Sequence, residues 1–130
     1  MKPRILIVDD NPTNLKLAAA LLEFEGYAIE EAGDAESALN LIRARPPQLV
    51  LLDVQLPVMD GLTLARIIKT DETLRHIRVV ALTAFAMKSD EQRAFDAGCD
   101  GHIAKPIDVG KFPELVAKYL NGASQASLRP

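Results

Sequence analysis

Leu49-Val50-Leu51-Leu52-Asp53 is a run of four apolar residues that ends on a carboxylate. No polar residue alternates with the apolar ones, so both faces of this segment must be covered, which marks a strand inside a parallel sheet. The pattern occurs twice more: Ile5-Leu6-Ile7-Val8 runs into Asp9-Asp10, and Val79-Val80-Ala81-Leu82 runs into Thr83. These three segments are read as central strands. Two weaker segments complete the set. Residues 27–32 contain Glu30-Glu31, and the short run at 101–104 leads into Lys105; both suit the edges of a sheet.

Between the strands the apolar period changes to that of helices. Leu15, Ala18, Ala19 and Leu22 lie at i, i+3, i+4 and i+7, and Ala35, Ala38, Leu39 and Ile42 repeat that spacing. Asn11-Pro12 supplies a cap and a first-turn proline for the first helix, and Gly26 suits its C′ position. Asp34 is placed to cap the second helix and Pro46-Pro47 to stop it. Asp60-Gly61 reads as a turn before a third helix carrying Leu64, Ile67 and Ile68. Ser89-Asp90-Glu91-Gln92 has the capping-box spacing and Gly98 a C′ position, which predicts a fourth helix over about 89–97. Asp108 is expected to cap a fifth helix with Phe112, Leu115, Val116 and Tyr119 on one stripe.

Five β-α pairs with right-handed crossovers give an α/β fold, an open doubly wound parallel sheet with helices on both faces. Ligands bind such sheets beyond the carboxyl ends of the strands. Asp9, Asp10, Asp53, Thr83 and Lys105 all fall at those ends. At 130 residues the chain is read as one domain over 1–122, with 123–130 as a frayed tail. A net charge of −3 without a basic stripe argues against nucleic acid. The apolar run after Met1-Lys2-Pro3-Arg4 is far too short for a signal segment or a membrane span, which leads to the expectation of a cytoplasmic protein. Cys99 is the only cysteine, so the chain forms no internal disulfide.

Carboxylates crowded at one sheet edge repel one another unless a cation sits among them. Mg²⁺ suits such a site, because it takes one or two protein carboxylates and fills its octahedron with waters and phosphate oxygens. Asp10 and Asp53 are the expected direct ligands, Asp9 a direct or water-mediated one, and the Gln55 carbonyl a further oxygen. Taken singly, each aspartate is explained as a helix or turn cap. Together with Thr83 and Lys105 they fit phosphoryl chemistry: Asp53, on the middle strand, is the nucleophile, Lys105 pairs with a phosphoryl oxygen and the Thr83 hydroxyl donates to another. No glycine-rich loop follows the first strand, so neither a dinucleotide fingerprint nor a P-loop is present. Cys99 and His102 lack a second pair and do not make a zinc site.

As a set, Ile7-Val8-Asp9-Asp10-Asn11, the stretch from Leu52-Asp53-Val54-Gln55 to Asp60-Gly61, Leu82-Thr83-Ala84 and Ala104-Lys105-Pro106 resemble the receiver domains of bacterial response regulators, over roughly residues 4–120. That resemblance implies a flavodoxin-like strand order 2-1-3-4-5. It implies that Asp53 takes a phosphoryl group from a phosphohistidine on a sensor histidine kinase or a histidine phosphotransfer protein, with Mg²⁺ held by Asp9 and Asp10. It implies that Thr83 swings toward the aspartyl phosphate, that Ala84 leaves it accessible, that Lys105 salt-bridges to it, and that the Lys105-Pro106 bond is cis.

By the same resemblance, Asn14, Leu15 and Ala18 help dock the histidine-bearing partner. The downstream protein target is expected on a face that includes Phe85, Met87, Ile103, Val109 and Lys111, while Gln55 and Phe85 tune hydrolysis. His102 stands where receivers usually carry a tyrosine or phenylalanine, so switching is expected to rely on Thr83 and residues 85–88 more than on ring rotation. Within the family the motifs are most similar to single-domain cell-division regulators, with a receiver from a hybrid histidine kinase as the alternative. A rival outside the family is an Mg²⁺-dependent aspartyl phosphatase of the haloacid dehalogenase type. Its nucleophile sits on the first strand in an Asp-x-Asp motif, whereas here the first strand carries adjacent acids.

Overall fold

The computed structural model describes residues 2–56, 59–83 and 88–121, without the side chains of 88–91. Strands and helices alternate along the chain: β1 (Arg4–Val8), α1 (Pro12–Phe24), β2 (Ala28–Ala32), α2 (Ala35–Ala44), β3 (Leu49–Asp53), α3 (Gly61–Thr70), β4 (Arg78–Thr83), α4 (Lys88–Asp96), β5 (Gly101–Ala104) and α5 (Phe112–Leu120). The strands form one parallel sheet in the order β2-β1-β3-β4-β5. The runs read as central strands are central, and the two weaker ones are the edges.

The unbroken apolar runs follow from the two-sided burial. Leu6, Val8, Val50, Leu52, Val79 and Ala81 pack on one side of the sheet with Ala38 and Ile42 of α2, Leu64 and Ile68 of α3, and Ala94 of α4. The intervening residues Ile5, Ile7, Leu49, Leu51, Val80 and Leu82 face the other side, with Ala18 and Leu22 of α1 and Phe112, Val116 and Tyr119 of α5. Successive side chains on a strand point to opposite faces, so each central strand feeds two cores and has no position for a polar residue between its ends.

The helix boundaries follow local chemistry. The Asn11 side chain accepts from Thr13 and Asn14 N–H at 2.9 and 3.2 Å, and Gly26 takes a left-handed φ of 96° just past α1. Asp34 caps α2 through Ser37 N–H at 2.7 Å. Two expectations need correction. Asp60-Gly61 is the start of α3, not a turn before it: Asp60 is the N-cap, accepting from Thr63 N–H at 2.8 Å, and Gly61 is the first helical residue. Asp108 does not cap α5 itself. Its carboxylate accepts from Gly110 and Lys111 N–H at 2.9 and 3.2 Å and so closes the turn before the helix. Pro113 lacks the N–H that would continue that turn's bonding, so α5 starts beside it at Phe112, with no side-chain cap.

The expected capping box at Ser89 rests on side chains outside the described residues, as do Pro57, Val58, Ala84, Phe85, Ala86, Met87 and the tail at 123–130. Among the described residues no helix is long and apolar enough to cross a membrane.

Candidate functional site

Parallel register brings the strand ends level. Val8 pairs with Leu52, Asp53 with Leu82, and Thr83 with Ala104, so Asp9, Asp53, Thr83 and Lys105 end up side by side at the carboxyl edge. Lys105 Nζ lies 3.0 Å from Asp9 Oδ2 and 2.9 Å from Asp53 Oδ2. The other oxygen of each carboxylate is held by backbone two residues on. Asn11 N–H donates to Asp9 Oδ1 and Gln55 N–H to Asp53 Oδ1, each at 2.9 Å. The two aspartates are thus fixed at both oxygens by the same local device, a side chain bonded to its own following turn. Lys105 N–H donates to the Thr83 carbonyl at 2.7 Å, and the Lys105–Pro106 peptide bond is cis.

Asp9, Asp53 and Thr83 are the three buried polar residues of the described chain, at 1%, 5% and 2% exposure. Asp10 is exposed, yet a carboxylate oxygen of each of Asp9, Asp10 and Asp53 falls within 4.8 Å of the others. Burial pushes the Asp53 carboxyl above its ordinary pKa of 3.8, with Asp9 adding to the rise, against the Gln55 N–H and the Lys105 ammonium, which pull it down. For Lys105 the balance is reversed. Burial alone would lower its pKa, but hydrogen bonds to Asp53 and Asp9 and their charges raise it. The asymmetry is one of number: one ammonium is served by two carboxylates, while two carboxylates share one ammonium.

Three close carboxylates and one cation leave an excess of negative charge, which fits a hard divalent ion. A second feature points to a ligand. Thr83 Oγ1 is buried and has no hydrogen-bond partner among the described residues, a situation that costs free energy unless something else accepts or donates there.

The structure brings together Asp9, Asp10, Asp53, Thr83 and Lys105, with Gln55 contributing its N–H to Asp53. Asn14 and Leu17 of α1 face Lys105, Pro106 and Ile107 across an open groove of about 340 Å³ beside the site. Of the face read as a partner surface, Val109 is 58% exposed and Lys111 is exposed as well. Ile103 is a correction. It is 4% exposed and packs in the α1/α5 core, because strand alternation turns it to the same side as Gly101 and beneath α5. His102 is half-buried opposite Ala81 on the other side of β5. Cys99 is buried, and burial pushes its thiol up to about 12; it is a core residue.

One residue at the site escaped the sequence reading. A Cβ at Gly61 would lie 2.1 Å from the Asp53 carbonyl oxygen and 2.9 Å from Val54 Cα, so the first residue of α3 must be glycine for the helix to press on the end of β3. The Asp-Gly pair was the signal, read as turn chemistry and as the end of a family motif, with no role of its own for Gly61.

A five-stranded 2-1-3-4-5 sheet with an acidic cluster, a threonine and a lysine at its carboxyl edge defines a receiver domain. The response regulator receiver domain model matches residues 5–117, and the chain belongs to that family, the response regulators of two-component signalling. It is 45% identical over 123 residues to the polar-differentiation response regulator DivK of Brucella ovis, across 95% of this chain and 100% of DivK. It is similar to the receiver domain of a signal transduction histidine kinase from Syntrophus aciditrophicus, at 31% identity and a TM-score of 0.85 over 98% of this chain and 97% of that one. The chemotaxis response regulator CheY4 of Vibrio cholerae shares the fold, with a TM-score of 0.86 over 91% of this chain and 98% of that one at 21% identity. Membership implies a histidine kinase or phosphotransfer protein upstream and a target downstream.

Proposed function

We propose that Asp53 is the phosphoacceptor of a DivK-type response regulator, with Asp9, Asp10, Asp53 and the Gln55 carbonyl holding Mg²⁺. The observation that carries this reading is Lys105 Nζ bridging Asp53 and the neighbouring Asp9 at 2.9 and 3.0 Å. The carboxylate of Asp53 attacks phosphorus, the bond from phosphorus to the partner's histidine nitrogen breaks, and the imidazole keeps the electron pair. Gln55 N–H and Lys105 oppose the effect of burial on Asp53 and so favour its ionised, nucleophilic form. When bound, the metal ion offsets the charge of the incoming phosphoryl oxygens.

Phosphorylation replaces a carboxylate with a group carrying roughly −1.5 to −2 charge. Lys105 then has a stronger anion to follow than the carboxylate pair, and the Thr83 hydroxyl, without a partner among the described residues, gains one. Differential contacts of this kind couple sites by typically about 1–3 kcal/mol, enough to bias an existing equilibrium and not to build a new fold. Val109 and Lys111 lie on the surface that reads the shift out, and the groove at Asn14, Leu17 and Pro106 is where the histidine-bearing partner approaches. We place the protein in the cytoplasm, where such partners present their phosphohistidines. Identity of 45% to DivK against 31% to the receiver of a histidine kinase favours the regulator reading.

Acetyl phosphate with Mg²⁺ tests the reaction. The expected result is one phosphoryl group per chain, with self-catalysed loss over time and no label in Asp53→Asn. Sustained turnover of small phosphomonoesters would instead identify an aspartyl phosphatase.

A further inference from the structure

Away from the acidic cluster, β5 makes a contact with α5 that phosphoryl transfer does not use. Gly101 opens β5, and a Cβ there would lie 2.1 Å from Cε1, 2.3 Å from Cζ and 2.4 Å from the hydroxyl oxygen of Tyr119. The tyrosine ring therefore fills the volume that a side chain at 101 would take. Tyr119 is 3% exposed and packs in the same core as Ile103, Phe112 and Val116. Its hydroxyl donates to the His102 carbonyl at 3.4 Å, long for an O–H···O bond, so the seat is steric first and polar second.

The position of this contact matters. β5 is four residues long and, among the described residues, pairs with β4 alone. One end is Gly101 under Tyr119; the other leads directly into Lys105, whose N–H bonds the Thr83 carbonyl and whose ammonium bridges Asp9 and Asp53. A four-residue strand spans roughly 13 Å and is stiff along its length. Displacement of its Lys105 end therefore reaches Gly101, which the buried Tyr119 ring covers. Interfaces packed in this way shift as units instead of deforming gradually.

We propose that Tyr119, seated on Gly101, is the positioning residue that carries displacement of Lys105 into α5, so that β5 and α5 move as one body. The proposal rests on the reading of Asp53 as phosphoacceptor and adds the route by which its state reaches the α5 surface. Tyr119 touches no reacting group, so its variants should label at Asp53 at the wild-type rate.

The test compares backbone amide and aromatic side-chain spectra with and without acetyl phosphate and Mg²⁺ for wild type, Tyr119→Phe and Tyr119→Leu, with Asp53 labelling measured in the same samples. Tyr119→Phe keeps the ring and should retain the α5 response to within about 2-fold, since one long hydrogen bond is lost. Tyr119→Leu leaves Gly101 uncovered and should shrink the α5 response by about 5-fold or more. Two results overturn the proposal: a folded Tyr119→Leu protein whose α5 amides respond as in wild type, or wild-type α5 amides that move while the Gly101 amide and Tyr119 ring signals stay fixed. The second is read without any variant, so misfolding of Tyr119→Leu does not shelter the idea. Absence of label in the wild type would bring down the Asp53 reading and the proposal together, whereas full labelling with a Tyr119-independent response removes the proposal alone.

Discussion

Adding one methyl group at Gly61 sets the first turn of α3 against the backbone of the residue that accepts the phosphoryl group. The new Cβ would lie 2.1 Å from the Asp53 carbonyl oxygen. Carbon–oxygen contacts in proteins rarely fall below about 3.3 Å, so about 1.2 Å of movement must be found. Alanine gains about 0.5–1 kcal/mol over glycine within a helix. Overpacking costs about 1–3 kcal/mol, so the net effect is a loss of stability. The displaced groups are closely tied. Gly61 N–H donates to the Val54 carbonyl at 3.2 Å, and Gln55 N–H holds Asp53 Oδ1 at 2.9 Å. A shift of the helix start therefore pulls on the turn that orients the carboxylate. Misplacing a reacting group by 1 Å costs about 10²-fold in rate. We expect Gly61→Ala to lose about 0.5–2 kcal/mol in denaturant titration and to take label from acetyl phosphate about 10²-fold more slowly. Lost stability with a wild-type labelling rate would show that α3 yields alone and that Gly61 does not position Asp53. No change in either quantity would refute the contact itself.

Replacing the bridging ammonium, as in Lys105→Met, leaves two buried carboxylates without their cation; we expect a loss of about 3–5 kcal/mol at neutral pH, seen in denaturant titration. For Asp53 the sign follows from its raised pKa. A carboxyl that binds its proton more tightly in the folded state contributes stability that is fully present below the unfolded value, near 3.8, and is lost as pH rises through the folded value. Asp53→Asn should therefore be more stable than wild type at neutral pH, with the two melting curves converging as pH falls through that window. Thr83→Val removes a buried hydroxyl that has no partner among the described residues, so we expect equal or greater thermal stability, with relief of up to about 1–3 kcal/mol, while the spectral response to phosphorylation is lost. Cys99, with its thiol pushed to about 12 by burial, should react with a disulfide reagent only on unfolding; rapid modification of the native protein would contradict its place in the core.

Elements with a local cause were legible in the sequence. Apolar runs covered on both sides could only be central strands, and Asn11, Asp34 and Gly26 act within one turn of their helices. The acids, threonine and lysine were legible as a group because parallel strands bring their carboxyl ends to one edge. What escaped depends on distant segments meeting. The 2-1-3-4-5 order came from resemblance, since alternating β and α segments admit other orders. Gly61 looked like turn chemistry because the Asp53 carbonyl that excludes its side chain comes from another element. Ile103 was named among the contacts of the downstream face, but α5 covers the side of β5 that carries Gly101 and Ile103. Asp108 has the right residue type for a cap, but Pro113 moves the helix start beyond its reach.

The central claim is that Asp53, of all the carboxylates at the sheet edge, takes the phosphoryl group. Borohydride reduces an aspartyl phosphate to homoserine, so labelling with acetyl phosphate and Mg²⁺ followed by reduction and peptide mapping reads the acceptor directly. We expect homoserine at position 53 alone, with Asp9 and Asp10 recovered intact. Homoserine at position 9 or 10, or label on a residue that borohydride leaves unchanged, would contradict it.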